Sequence, residues 1–345
     1  MLLTKSKAEK TKSKVQKTFI DTDFRFSKTE KDYIYSLLIS IKENPYTGYE
    51  QFIQNIRDVV SLLPSNFLKH MEELKTRDQY EFPFVYIENC PIDRILPIFD
   101  YVDPVNSKRK LKKTFIAEGF LSLYGEMMET PAIGYINVNN GDTFHDIYPQ
   151  ESLKNSQSQK TMVALGFHKD LANHFVRPDH INMMAMRFYE QNKIYTTFVR
   201  NKDLLDSLPG EMIEIMRREV FYTPFDDLTM HAGNVQLGRA KDHAILKEDD
   251  DICYFENRTT GINKEAQDVC DTINMLLHKI KFRIQMKPGD FVSLANNFSV
   301  HGKDIEHIAD IEQQRIRWSI KTYNVNSLAK HEQHYIPGRY GIVNG

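Results

Sequence analysis

The sequence predicts a β-rich α+β fold: one domain built on a barrel or sandwich, with helices packed at its flanks. Three observations carry that expectation. Helical periodicity fills the chain from about Ser27 to Leu74, short alternating runs dominate from Phe82 onward, and one more amphipathic helix precedes a pair of strand-like runs near the end.

The first helices announce themselves in order. Ser27 and Glu30 have the spacing of a capping box, and Ile34, Leu37, Leu38 and Ile41 follow at helical intervals. Asn44-Pro45 interrupts the pattern; Phe52, Ile56, Val59, Val60 and Leu63 resume it before Pro64. Two or three packed helices are expected, and they look structural because no His, Asp or Cys clusters on them. Runs such as Phe84-Val85-Tyr86-Ile87 and Ile133-Gly134-Tyr135-Ile136 then read as strands. Asn263 can cap a helix with the apolar stripe Ala266, Val269, Cys270, Ile273, Leu277 and Ile280. After it Phe282, Ile284 and Met286 alternate, Lys287-Pro288-Gly289-Asp290 turns, and Phe291 to Leu294 reads as the partner strand.

Composition narrows the function classes. The 345 residues are 41% hydrophobic and 27% charged, an ordinary soluble balance. With 45 Lys+Arg against 47 Asp+Glu there is no basic excess for coating nucleic acid, so no nucleic-acid partner is expected. Cys90, Cys253 and Cys270 form no CxxC pair, which argues against a disulfide scaffold or a cysteine zinc site and fits a reducing cytoplasm. No apolar run is long enough to span a bilayer, so no membrane partner is expected. Residues 1–17 carry six lysines and no apolar core of a secretory signal; they read as a solvated basic tail before a single domain at 18–345.

The chain lacks a Walker A loop, GxGxxG, GxSxG and HExxH. What remains is a histidine and carboxylate pattern. His168 and Asp170 lie two apart at the end of a β-like run and project to one face; His301 closes another such run. Two imidazoles and one carboxylate make a facial triad that leaves positions open on Fe(II) for a cosubstrate and dioxygen. Alternation on 315–325 places Arg315, Arg317, Ser319, Lys321 and Tyr323 on one face and Ile316, Trp318 and Ile320 on the other, a strand suited to border an anion cavity. His168 taken alone is also compatible with an exposed histidine, and His174 or His180 with an alternative metal site.

Several ordered segments resemble the clavaminate synthase-like oxygenases. They are His168-Lys169-Asp170-Leu171-Ala172-Asn173-His174-Phe175, Arg177-Pro178-Asp179-His180, Met183 to Arg187, Pro288-Gly289-Asp290, Asn297, His301-Gly302 and Arg317-Trp318-Ser319-Ile320-Lys321. Together they run over residues 159–325. The resemblance implies a double-stranded β-helix, or jelly-roll, with outer helices and a lid insertion at about 204–247. It implies Fe(II) on His168, Asp170 and His301, 2-oxoglutarate on Arg317 with Thr197, and dioxygen as oxidant. The departures are Asp170 for the usual Glu, Lys321 for the second Arg of the RWLxR strand, and Lys303 in place of the Arg after His-Gly. A free amino acid is the implied substrate, a small molecule. Lys321 would take its carboxylate; Glu256, Asn257, Gln159 and Ser158 would surround its amine. Asp226 and Asp227 would face a basic side chain, which makes L-lysine the first choice and arginine or ornithine the next. The rival readings are a non-catalytic jelly-roll binding protein and a His/Asp zinc hydrolase.

Overall fold

In a computed structural model describing residues 20–136, 138–172, 174–224 and 240–343, the first helices form where the periodicity places them. Behind a short β1 (Phe24–Arg25) come α1 (Lys28–Ser40), α2 (Tyr49–Val60) and α3 (Ser65–Lys75). The capping box is complete: the Ser27 hydroxyl accepts from the Glu30 N–H at 3.2 Å and the Glu30 carboxylate accepts from the Ser27 N–H at 2.7 Å. Such a cap contributes about 1 kcal/mol.

After β2 (Phe84–Glu88) the chain departs from the expected run of strands and forms α4 (Pro104–Leu111) and α5 (Ile116–Met127). Every residue of α5 except Glu126 is buried, so it has no polar face whose period would reveal a helix. The strands that follow are β3 (Ala132–Tyr135), β4 (Phe144–Ile147), β5 (Leu165–His168), β6 (His180–Arg187) and β7 (Lys193–Arg200). Then come α6 (Asn201–Asp206), α7 (Gly210–Met216), β8 (Phe221–Tyr222), β9 (Thr260–Gly261) and the Asn263-capped α8 (Lys264–Ile280). The last elements are β10 (Phe282–Ile284), β11 (Phe291–Ala295), β12 (Ser299–His307), α9 (Ile311–Arg315), β13 (Trp318–Asn324), β14 (Tyr335–Ile336) and β15 (Arg339–Val343).

Two sheets face each other. The larger runs β1-β2-β11-β6-β13-β3-β15-β14, with β4 also on β13; the smaller runs β10-β7-β12-β5. β10 and β11 are therefore not the hairpin that the sequence suggested. β10 pairs with β7, β11 pairs with β2 and β6, and the Lys287–Asp290 turn carries the chain from one sheet to the other. Gly289 supplies the φ of +90° this crossing needs, and the Asp290 carboxylate accepts from the Lys287 N–H and the Tyr86 hydroxyl, both at 2.8 Å.

Helices cover the outer faces. Phe26, Ile34, Phe67, Phe120, Phe291 and Trp318 join the N-terminal helices and α5 to the large sheet. Val199, Val300 and Phe167 join the small sheet to α8, α6 and α7. Leu204, Leu208, Met216, Phe221, Ile245 and Leu246 are buried in that second cluster, so both ends of the expected lid belong to the packed domain. The centre of that stretch, with Asp226 and Asp227, and the tail at 1–17 lie outside the described residues. No helix among the described residues is long and apolar enough to cross a membrane.

Candidate active site

Strand pairing brings the three expected donors together. His168 ends β5 and stands opposite His301 of β12 in the ladder, which sets the ring centroids 4.4 Å apart. Asp170 follows two residues later and returns its carboxylate to both rings: Oδ1 is 3.3 Å from His168 Nε2 and Oδ2 is 3.7 Å from His301 Nε2. One donor atom from each residue lies within 4.8 Å of the others, and among the described residues no other His, Cys, Asp or Glu group meets that criterion. Gly302 is needed because a side chain there would press to 2.8 Å from the Leu165 carbonyl oxygen, where β5 crosses β12 at a register shift.

Local bonds hold the donors in ligating form. His168 Nδ1 bonds the Gly166 carbonyl at 2.9 Å, which leaves Nε2 with its lone pair. Burial, followed by the nearby His168, pushes His301 down to about 3, so its imidazole is neutral at ordinary pH. Burial alone would raise the Asp170 carboxyl; Lys321 and the two histidines instead hold it well below the usual carboxylate range. The Asn296 amide clamps the Asp170 backbone, accepting from its N–H at 3.1 Å and donating to its carbonyl at 3.2 Å. Lys169 points to the opposite face, where it meets Asp251 and donates to Asn297 at 2.9 Å.

A cavity opens beside these donors, between the two sheets. Its open space is about 80 Å3. His168, His301, Thr196, Lys303, Arg317, Lys321 and Gln159 supply its polar lining. Arg317 is buried, and its Nε and Nη2 have no hydrogen-bond partner among the described residues. Burial lowers it to about 10, so it remains a cation. Arg187 braces the approach to it by donating to the carbonyls of Ile316, Leu96 and Pro97.

The other expected residues divide sharply. Gln159 lines the cavity with its Oε1 unpartnered. Lys321 lines it too, but its ammonium is bound to Asp170 Oδ2 at 2.7 Å and so supports a candidate ligand. Thr197 is a correction: it pairs across the ladder with Gly302 and faces away from the cavity, while the neighbouring Thr196, level with Lys303, faces in. A one-residue offset on a strand reverses the face. Glu256 is a second correction, because its carboxylate accepts from the Phe167 N–H at 2.8 Å and bonds His278 at 2.6 Å, outside the cavity. Asn257 is exposed at φ +67° and Ser158 accepts from the Lys160 N–H; neither lines the cavity. Arg315 belongs to α9 and pairs with Glu312, so the alternation begins only at Arg317. His180 bonds Asn326 as a framework residue, and neither it nor His174 joins the donor set.

One residue escaped the sequence reading. His145 of β4 lies level with Lys321, fully buried, with neither ring nitrogen hydrogen-bonded. Alternation with Ile147, which lines the cavity, is the signal that would have found it.

No family model matches the chain. Among curated proteins it is 24% identical over 249 residues to L-lysine 3-hydroxylase of Catenulispora acidiphila, covering 70% of this chain and 67% of that protein. It is 21% identical over 167 residues to clavaminate synthase 2 of Streptomyces clavuligerus, covering 48% of this chain and 50% of that one. Among solved structures, asparagine oxygenase with Fe(II), 2S,3S-3-hydroxyasparagine and succinate superposes with a TM-score of 0.78 at 15% identity, over 93% of this chain and 99% of that one. The non-heme iron oxygenase OrfP with Fe, succinate and (3S)-hydroxy-L-Arg gives 0.76 at 16% identity, again over 93% and 99%. The matches show that the chain has the fold of these oxygenases and is similar in sequence to the two curated proteins. The likeness to clavaminate synthase 2 agrees with the resemblance its motifs carry.

Proposed function

We propose that the protein hydroxylates an unactivated C–H bond of a free L-amino acid, with L-lysine first among the candidates. Fe(II) is held by His168, Asp170 and His301, and the far carboxylate of 2-oxoglutarate by Arg317. The observation that supports this best is the meeting, in one cavity, of three ligating atoms and a buried guanidinium with unfilled donors. A zinc hydrolase would have no use for that guanidinium, and a charge-assisted pair there is worth about 1.5–3 kcal/mol to a dicarboxylate.

Bound iron and 2-oxoglutarate supply the oxidising power: one oxygen atom of dioxygen ends in succinate as carbon dioxide leaves, and the other in the product hydroxyl. The chain's own residues do the rest. Gly166 and Asn296 fix the ligands' orientation. Lys321 keeps the outer oxygen of Asp170 occupied, and its remaining donors can meet a substrate carboxylate. Gln159 offers its free carbonyl oxygen to the substrate amine. Ile147, Leu165, Ile181, Met183, Phe188, Val292 and Leu294 form apolar walls that keep bulk water from the reacting carbon.

Lysine is favoured by the name of the curated relative that covers most of this chain. No lining residue carries a carboxylate, so an ammonium side chain would draw its partner from elsewhere, and Asp226 and Asp227 remain the proposed source. Incubation with Fe(II), 2-oxoglutarate, dioxygen and each free amino acid should give succinate and a mass gain of one oxygen with lysine. A hydroxylated neutral amino acid and unchanged lysine would replace the substrate; no succinate with any of them would remove the reaction.

A further inference from the structure

Lys303 stands two residues beyond His301 on β12 and points to the same face, level with Thr196. We propose that Lys303 binds the far carboxylate of 2-oxoglutarate jointly with Arg317, so that the cosubstrate end of the cavity is a two-cation receptor. The inference rests on the cosubstrate reading above and extends it to a residue that reading does not use.

Lys303 is buried and lines the cavity together with Arg317 and Thr196. Its ammonium makes one bond, to the Thr161 carbonyl at 3.0 Å, and two of its three donors remain. Of the other buried lysines among the described residues, four meet a carboxylate: Lys321 with Asp170 at 2.7 Å, Lys108 with Asp146 at 2.5 Å, Lys112 with Glu118 at 2.7 Å, and Lys169 with Asp251; Lys160, outside the cavity lining, reaches the Asn139 side-chain oxygen at 3.5 Å. Among the described residues neither Lys303 nor Arg317 has such a partner, and no lining residue is acidic. A cation taken out of water without a counter-charge is costly. Two of them in one cavity are retained when a ligand brings the missing charge. The division of labour follows from their shapes: the Arg317 fork addresses both carboxylate oxygens, and the Lys303 point charge adds to one of them.

The test is anaerobic titration of the Fe(II)-loaded protein with 2-oxoglutarate and with 2-oxopentanoate, which has the same chain length and chelating head but no far carboxylate. Lys303→Met should weaken 2-oxoglutarate binding about tenfold to a hundredfold and leave 2-oxopentanoate within about twofold. Lys303→Arg, which restores the cation, should recover most of the loss. Without ligand the methionine variant should melt no lower than the parent, because a buried polar head with no carboxylate partner has gone. Should it not fold, Lys303→Gln, which can still donate to the Thr161 carbonyl, carries the same expectation. Unchanged 2-oxoglutarate affinity, or an equal loss for both oxo acids, would overturn the proposal. Loss in Arg317→Met with none in Lys303→Met would remove Lys303 alone; no loss in either would remove the cosubstrate site as well.

Discussion

Two regions of this molecule bury several charges, and they treat them oppositely. Under α4 and α5 the charges are matched. Lys112 meets Asp93 at 3.0 Å and Glu118 at 2.7 Å, and the Tyr46 hydroxyl donates to Glu118 at 2.8 Å. Lys108 lies on Asp146, whose other oxygen accepts from the Trp318 indole at 2.9 Å. In the cavity Arg317 and Lys303 meet no carboxylate among the described residues. The first arrangement is complete without any ligand and holds helices to the sheet. The second is complete only with one. Satisfaction, more than burial or charge itself, separates a structural polar group from a functional one here.

Four experiments can break or sharpen that contrast. The largest effect belongs to the matched network: Lys112→Met should destabilise the fold by about 3–5 kcal/mol in denaturant unfolding, since Asp93 and Glu118 would be left without their cation. Arg317→Met should do the reverse. Stability should hold or rise, while the Michaelis constant for 2-oxoglutarate climbs about tenfold to a hundredfold. If Arg317→Met unfolds as readily as Lys112→Met, the two regions are not different in kind.

His145 lies between these extremes. Burial, then Lys321, pushes its imidazole down to about 3, against about 6.5 when unfolded. The unfolded chain therefore binds the extra proton first. Stability is whole above about pH 6.5 and falls as pH drops toward about 3, with a slope of up to ~1.4 kcal/mol per pH unit from this residue. Melting curves across that window should be flatter for His145→Gln; an identical acid limb would mean that His145 is already protonated or solvated. The smallest effect is expected at the surface, where the exposed Lys28–Asp32 pair on α1 should be dispensable: Lys28→Gln should leave the melting temperature unchanged.

The proposed iron ligands provide a check of another kind, since their loss should spare the fold. His301→Ala should reduce succinate formation more than about a hundredfold and abolish metal binding while circular dichroism is retained. Full activity in that variant would withdraw the ligand assignment.

Much of the site was legible because its chemistry is carried by residue type and strand period. His168, Asp170, His301 and Arg317 could be read as a metal and anion pattern, and the capped α1 and α8 as helices. The misses have physical causes. α5 is buried all round and so has no polar stripe to read. Thr197 and Thr196 differ by one residue, and only the pairing with β12 decides which faces inward. Glu256 reads locally as a substrate residue, yet its carboxylate is taken by His278 and by a backbone N–H 89 residues away, contacts no local pattern encodes. Lys321 falls on the cavity strand as the alternation requires, but its bond to Asp170 spans 151 residues, which no local pattern shows.

That bond has a consequence for how the protein is loaded. A metal site usually sheds protons as it fills, because its ligands must first be stripped of them. Here the lysine already keeps the aspartate ionised, and burial already keeps the His301 ring neutral. Neither donor has a proton left to surrender near neutrality. Iron uptake at these two positions should then release no proton from them near neutrality.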